Sequence, residues 1–195
     1  MTPERAERLN NVIAKRQPGL TIVLENVSDP HNISAVMRTC DAVGVQDIYI
    51  LNTAIGLHEA WSAKTSSSAA KWLTVHQFTD ITECFKALRK NYLKIYTTHL
   101  AKDAADLYDL DFKESVALVF GNEHSGVSEK IIEMADGNFL IPQVGIIKSL
   151  NISVACAVTL YEAYRQKKVA SHYDTPQLKP ENEILLRKSW GMIGE

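Results

Sequence analysis

Apolar and polar positions along the 195-residue chain switch repeatedly between a period near 3.6 and a period of 2. Thr2-Pro3 and the charged run to Arg16 predict a capped helix with proline at its first position, stopped by Gln17-Pro18-Gly19. LTIVLEN (Leu20 to Asn26) reads as a strand. After SDPHN, Ile33, Val36, Met37, Cys40 and Val43 fall on one helical face, which Gly44 closes, and DIYIL is the next strand. The small, polar stretch 52–70 reads as a mobile loop flanking a short helix. WLTVHQF, Asp80 to Lys90 and LKIYTTHL then form another strand-helix-strand unit. Val116 to Phe120 is a compact apolar strand, Ser128 to Ala135 a helix, Asn138 to Ile141 a short strand, and Ser149 to about Lys168 the longest helix. Pro176 and Pro180 mark a linker before a last helix, Glu181 to Trp190. Strands that alternate with helices imply an α/β fold with a parallel sheet covered on both faces.

Composition bounds this picture. With 46% hydrophobic residues, the chain can bury one substantial core but hardly two. The expected organisation is an N-terminal helical extension over 1–18, one α/β domain over 19–168 and a C-terminal helical extension over 169–195. No apolar run approaches the roughly 18 residues that suggest a membrane span. The first residues are charged where a secretory leader needs an apolar stretch, so a soluble, cytoplasmic protein without membrane association is expected. Cys40, Cys84 and Cys156 form no CxxC pair and are read as reduced, buried thiols. The histidines show no HxxxH or HExxH spacing, so no metal site is expected.

The net charge of −2 does not mark a nucleic-acid binder, because phosphate affinity comes from clustered cations rather than from the sum. Arg5, Arg8, Lys15 and Arg16 gather at one end and Arg165, Lys167 and Lys168 near the other, while Asp103, Asp106, Asp109, Asp111 and Glu114 load the middle. Such a field can hold a polyanion at one face; it can equally be a set of solvated helix faces.

Candidate chemistry sits where a parallel sheet places ligands, at the carboxyl ends of its strands. Asn32, Arg38 and Asp41 follow the first strand, Asn122 and Glu123 follow VALVF, and Ser149, Asn151 and Ser153 follow FLIP. Each has a local explanation: Asn32 and Ser149 as helix N-caps, Arg38 with Asp41 as a surface pair worth a few tenths of a kcal/mol, Glu123 as a solvated turn residue. Three such clusters at one end of a sheet favour a functional reading. The absence of G-x-G and G-x-S-x-G excludes the dinucleotide fingerprint, the Walker loop and the hydrolase elbow.

In order and spacing, these clusters resemble the three signature motifs of the SpoU or TrmH class of RNA ribose methyltransferases. They are an N-x-x-x-x-x-R helix (Asn32, Arg38), a G-x-E-x-x-G turn (Gly121, Glu123, Gly126) and I-P-x-x-G-x-x-x-S-L-N-x-S-x-A (Ile141 to Ala155). The resemblance covers nearly the whole chain and is strongest to members acting on the D-loop guanosine of tRNA. It implies a homodimer of α/β domains with a deep C-terminal trefoil knot, S-adenosylmethionine as cofactor, and methyl transfer to a ribose 2′-hydroxyl. Carried over by motif position, the cofactor lies against Thr98, His99, Leu100, Gly121, Ile141, Ile146, Ser149 and Leu150. The implied catalytic set is Arg38 with Asn32, Glu123, Ser149 and Asn151. A guanidinium gives up its proton at neutral pH only at a cost of about 7 to 9 kcal/mol, so Arg38 is read as orienting the acceptor and neutralising the RNA phosphate. Arg5, Arg8, Arg16, Lys64, Lys71, Arg165 and Lys168 are expected to dock RNA. Alternatives within the same reading are ribosomal RNA or another tRNA nucleotide as substrate, and a non-catalytic RNA-binding module of this fold.

Overall fold

A computed structural model of the protein describes residues 1–57, 69–99, 101, 104–122, 125–147 and 149–193. Helix α1 (Pro3–Ala14) starts where proline costs no hydrogen bond, and the Thr2 hydroxyl accepts from the Arg5 amide at 3.3 Å. Strand β1 (Leu20–Glu25) is buried along its whole length. Helix α2 (Pro30–Val43) is capped by Asp29, one turn earlier than an Asn32 cap would place it. It ends at Gly44 with φ +86°, where a Cβ would lie 2.5 Å from the Lys15 carbonyl oxygen, so only glycine fits.

Strand β2 (Asp47–Leu51), β3 (Thr74–Phe78), helix α3 (Ile81–Asn91) and β4 (Lys94–Thr98) follow. The stretch of acidic residues after β4 holds a two-residue strand, β5 (Ala105–Asp106), which periodicity cannot detect. Strand β6 (Val116–Phe120), helix α4 (Glu129–Met134), strand β7 (Gly137–Leu140), helix α5 (Ile152–Val169) and helix α6 (Pro180–Ser189) complete the chain. Helix α5 begins at Ile152 because Asn151, not Ser149, is its cap: the Asn151 side chain accepts from the Ser153 amide at 2.8 Å.

The seven strands form one parallel sheet in the order β3-β2-β1-β6-β4-β7-β5. Alternate residues of β1 divide the core. Leu20, Ile22 and Leu24 meet Ile33, Met37 and Cys40 of α2 and Cys156 and Leu160 of α5 on one face. Val23 meets Phe85 and Leu88 of α3 and Ile131 of α4 on the other. Both faces are thus covered, as a parallel sheet requires. All three cysteines are free and buried, and burial pushes the Cys40 and Cys84 thiols up to about 12 and Cys156 well above its ordinary value. These are inert core thiols.

Packing α2 against α5 has one consequence for the site. It brings the motif that begins α2 beside the motif that begins α5, although Asn32 and Asn151 lie 119 residues apart in sequence.

Candidate active site at the carboxyl ends of the strands

Strands β1, β6, β4 and β7 are neighbours, so the segments that leave them are neighbours as well. A cavity of about 380 Å³ opens there. Thr98 and His99 reach it from the end of β4, Gly121 and Asn122 from β6, Ile141 from β7, and Ser149 and Leu150 from the approach to α5. Phe120 and Phe139, packed edge to face with centroids 6.2 Å apart, supply an aromatic wall.

The turn after β6 is held by backbone. The Gly126 amide donates to the Asn122 carbonyl at 2.8 Å, and Gly126 has φ +68°, in the left-handed region that glycine adopts freely. A Cβ on Gly121 would lie 2.1 Å from the Gly126 carbonyl carbon, so the two arms of this turn close only over glycine. Asn122 donates to the Asn26 carbonyl at 2.9 Å and so fastens the turn to the end of β1. A second tie comes from Glu25, 1% exposed, whose Oε2 accepts from the Ser128 amide at 2.9 Å. Glu25 and Asn26 belong to none of the three motifs; their signal in the sequence is a carboxylate ending an otherwise apolar strand, LTIVLE.

Asn32 and Asn151 meet directly, with Asn151 Nδ2 donating to Asn32 Oδ1 at 3.1 Å. Asn151 Oδ1 also accepts from the Ser153 hydroxyl at 2.6 Å. One amide therefore caps α5 and holds the first turn of α2. Arg38 lies exposed on α2, about 9 Å further along the helix axis from Asn32. Among the described residues no ion pair engages it.

The surface pair of Arg38 with Asp41 that would be the local explanation for both is not formed among the described residues, because Asp41 is taken by Arg16. The Arg16 guanidinium, 0% exposed, donates to Asp41 Oδ1 at 2.8 Å and to the carbonyls of Val45 and Trp72 at 3.2 Å. Arg16 therefore cannot meet an RNA phosphate, a correction to its expected role: a cation near the chain start looks solvated in sequence, yet the turn at Pro18 carries it under α2. Ile146 is 98% exposed, on the loop between β7 and α5.

Of the remaining expected RNA contacts, Arg5, Arg8, Lys71 and Lys168 are exposed. Arg165 is also exposed but is engaged by Glu162 through Nε and an NH2 donor, both at 2.8 Å. Hydrogen bonds from Arg165 hold the Glu162 carboxyl below its ordinary range. Leu100, Lys64 and Glu123 lie outside the described residues. No group of three or more His, Cys, Asp or Glu able to hold a metal occurs among the described residues. No helix there is long and apolar enough to cross a membrane.

A cavity walled by aromatic carbon and by a turn that closes only over glycine fits a small organic cofactor, and among its described lining residues there is no Lys or Arg to hold a polyphosphate. Comparison with known proteins agrees with this. The family model described as SpoU rRNA Methylase matches residues 19–161. The tRNA (guanosine(18)-2′-O)-methyltransferase of Thermus thermophilus is 43% identical over 92% of this chain and 92% of that protein. Among solved structures, the TrmH/SpoU tRNA modifying enzyme of Aquifex aeolicus superposes with TM-score 0.88 at 34% identity, covering 98% of each chain. The AdoMet-bound rRNA methyltransferase of Sinorhizobium meliloti superposes with TM-score 0.65 at 28% identity, over 80% of this chain and 59% of that one. On this agreement of motif, cavity and relatives, the chain belongs to the SpoU methylase family.

Proposed function

We propose that this protein transfers a methyl group from S-adenosylmethionine to the ribose 2′-hydroxyl of guanosine 18 in the D-loop of tRNA. The observation that carries the reading is that residues of the second and third motifs line one cavity, while the first motif is joined to the third by the hydrogen bond between Asn151 and Asn32. The similar Thermus enzyme bears this activity in its name, and the likeness covers 92% of both chains. The rRNA methyltransferase neighbour is matched over little more than half its length, which favours tRNA over ribosomal RNA as substrate.

The cofactor, when bound, supplies an electrophilic methyl group on sulfur. The chain supplies alignment, which alone can account for several kcal/mol of a displacement barrier. Backbone around Gly121 and Ile141, with Thr98, His99, Ser149 and Leu150, holds the donor against the phenylalanine wall and keeps water out. Arg38 grips the phosphate beside the acceptor ribose and turns the 2′-hydroxyl toward the methyl group. Asn32 and Asn151 keep the helix bearing Arg38 at a set distance from the cofactor loops, and Glu123 completes the set from the turn after β6. Arg5, Arg8, Lys71, Arg165 and Lys168 steer the RNA.

The reading includes a trefoil threading of the C-terminal segment, with 1–18 and 169–195 as helical extensions of the 19–168 domain, and action in the cytoplasm, where tRNA resides. It also includes a homodimer. Val144, Ile146 and Ile147 on the loop and Val154 and Tyr161 on α5 leave an exposed apolar strip that suits a second copy of the chain. Replacing Ile147 by Asp should convert a dimer to a monomer by light scattering.

The direct test is incubation with labelled S-adenosylmethionine and unmodified tRNA or rRNA, followed by nuclease digestion. Label on the 2′-oxygen of guanosine 18 is expected. Label at another nucleotide overturns the substrate, and no label on any RNA overturns the activity.

A further inference from the structure

A second cavity, of about 430 Å³, is walled by cations and tryptophans. Arg5 and Arg8 come from α1, Lys71 and Trp72 from the short turn before β3, and Trp190 from the end of α6. Both tryptophans are partly exposed and meet edge to face, with ring centroids 5.1 Å apart at 83°. Lys71 Nζ stands 4.7 Å from the centroid of Trp72. Beneath them, buried Arg16 lies 5.3 Å from the centroid of Trp190 and donates to the main-chain carbonyl of Trp72, so one guanidinium joins the two segments that carry the rings. Its Nε has no hydrogen-bond partner among the described residues.

We propose that this cavity receives one unpaired nucleobase of the RNA substrate, stacked on the tryptophan pair, with Arg5, Arg8 and Lys71 on the flanking phosphates. The inference rests on the RNA methyltransferase reading and adds a recognition site outside its catalytic cavity. Aromatic faces interleaved with cations are the means by which proteins hold unstacked bases, since every base has a π face and every nucleotide a phosphate. The volume lies in the range of pockets that accept a small ligand. Asp41, the acidic group on this wall, is already neutralised by Arg16, which leaves three exposed cations facing the opening. That balance selects an anionic occupant. Position agrees as well: Asp41 stands one helical turn beyond Arg38 on α2, so a strand whose ribose lies at Arg38 passes the mouth of the cavity. Docking of α6 accounts for the contact between the rings, but not for an open volume rimmed by exposed Arg5, Arg8 and Lys71.

The test uses the full chain carrying Trp61→Phe, so that emission reports Trp72 and Trp190, the two other tryptophans. An unmodified tRNA transcript is titrated over a salt series. Quenching is expected on binding. Trp72→Leu and Trp190→Leu should each weaken binding about tenfold with the salt slope unchanged, and Trp72→Tyr should restore most of the loss. Combined Arg5→Gln, Arg8→Gln and Lys71→Gln should flatten the slope by about two to three units. Affinity for S-adenosylmethionine should stay at the wild-type value throughout. Binding within twofold of wild type in both leucine variants overturns the proposal, as does a parallel loss of cofactor affinity, which would assign the rings to folding alone. In either case, continued methyl transfer by the wild-type protein leaves the proposed activity standing; absence of transfer by the wild type fails that activity instead.

Discussion

The two cavities are built by opposite means. The one at the strand ends is made of backbone, glycine and aromatic carbon, and its shape follows from which strands are neighbours in the sheet. The one beside α1 is made of long charged and aromatic side chains drawn from the beginning, middle and end of the chain, with one buried arginine as its organiser. A small cofactor with fixed dimensions needs the first kind, because main-chain groups on strand ends cannot change rotamer. A flexible polyanion is served by the second, where cations on the surface draw it in from a distance and adapt as it docks. Helix α5 lies between them. Its first turn touches the cavity at the strand ends, and at its far end Tyr164 and Lys168 line a groove adjoining α1.

The contrast is sharpened most by Arg38, which belongs to neither wall. Arg38→Ala and Arg38→Lys should lower turnover about a thousandfold while cofactor affinity, read by calorimetry, stays within twofold of wild type. Near-normal methyl transfer in both variants would remove Arg38 from the mechanism. Next is Gly121→Ala. A methyl group placed 2.1 Å from backbone forces the turn open, and cofactor affinity should fall about a hundredfold or more. Unchanged cofactor affinity would break the claim that backbone closure builds this cavity.

Lys167 probes the far end of α5. It is 2% exposed, and burial pulls its pKa from 10.5 down to about 8, with Asp111 opposing the shift. Below pH 8 the folded protein carries a charge that the unfolded chain would hold in water, so the native state is penalised. As pH rises from 8 to 10.5, the folded form sheds the proton that the unfolded form keeps, and stability increases. Lys167→Met should therefore stabilise the protein at neutral pH by up to about 3 kcal/mol. Denaturant melts should show the variant and the wild type converging above pH 10.5, and a stability curve for the wild type that does not rise across that window would contradict the assignment.

The smallest effect belongs to Asn151→Ala. It removes the cap of α5 and the tie to Asn32, at a cost of about 1 kcal/mol. The melting temperature should drop by roughly 2–4 °C, with turnover reduced more than cofactor affinity. Equal loss of both would mean that the tie to Asn32 does not position α2.

Much of this was legible from residue order alone. Each long element was, because helical and strand periods and their punctuation are local properties: Thr2-Pro3 and Asp80 begin helices, and Gly44 ends one. Six residues that the motifs single out, Thr98, His99, Gly121, Ile141, Ser149 and Leu150, line the cavity at the strand ends. Local rules misplaced the caps of α2 and α5. Asn32 and Ser149 are good capping residues, but Asp29 and Asn151 are equally good, and their side chains accept from the His31 and Ser153 amides where each helix begins.

What residue order determined, then, is the alternation of elements, the parallel class of the sheet and the chemistry gathered after its strands, because these depend on neighbours within a few residues. Only the tertiary structure decided the strand order, the contact of Asn32 with Asn151, the burial of Arg16 and Lys167, and the meeting of Trp72 with Trp190. A charged side chain looks the same in sequence whether water or protein surrounds it. Which of the two it meets is set by residues tens of positions away, as Asp41, Val45 and Trp72 are from Arg16, and folding alone brings them together.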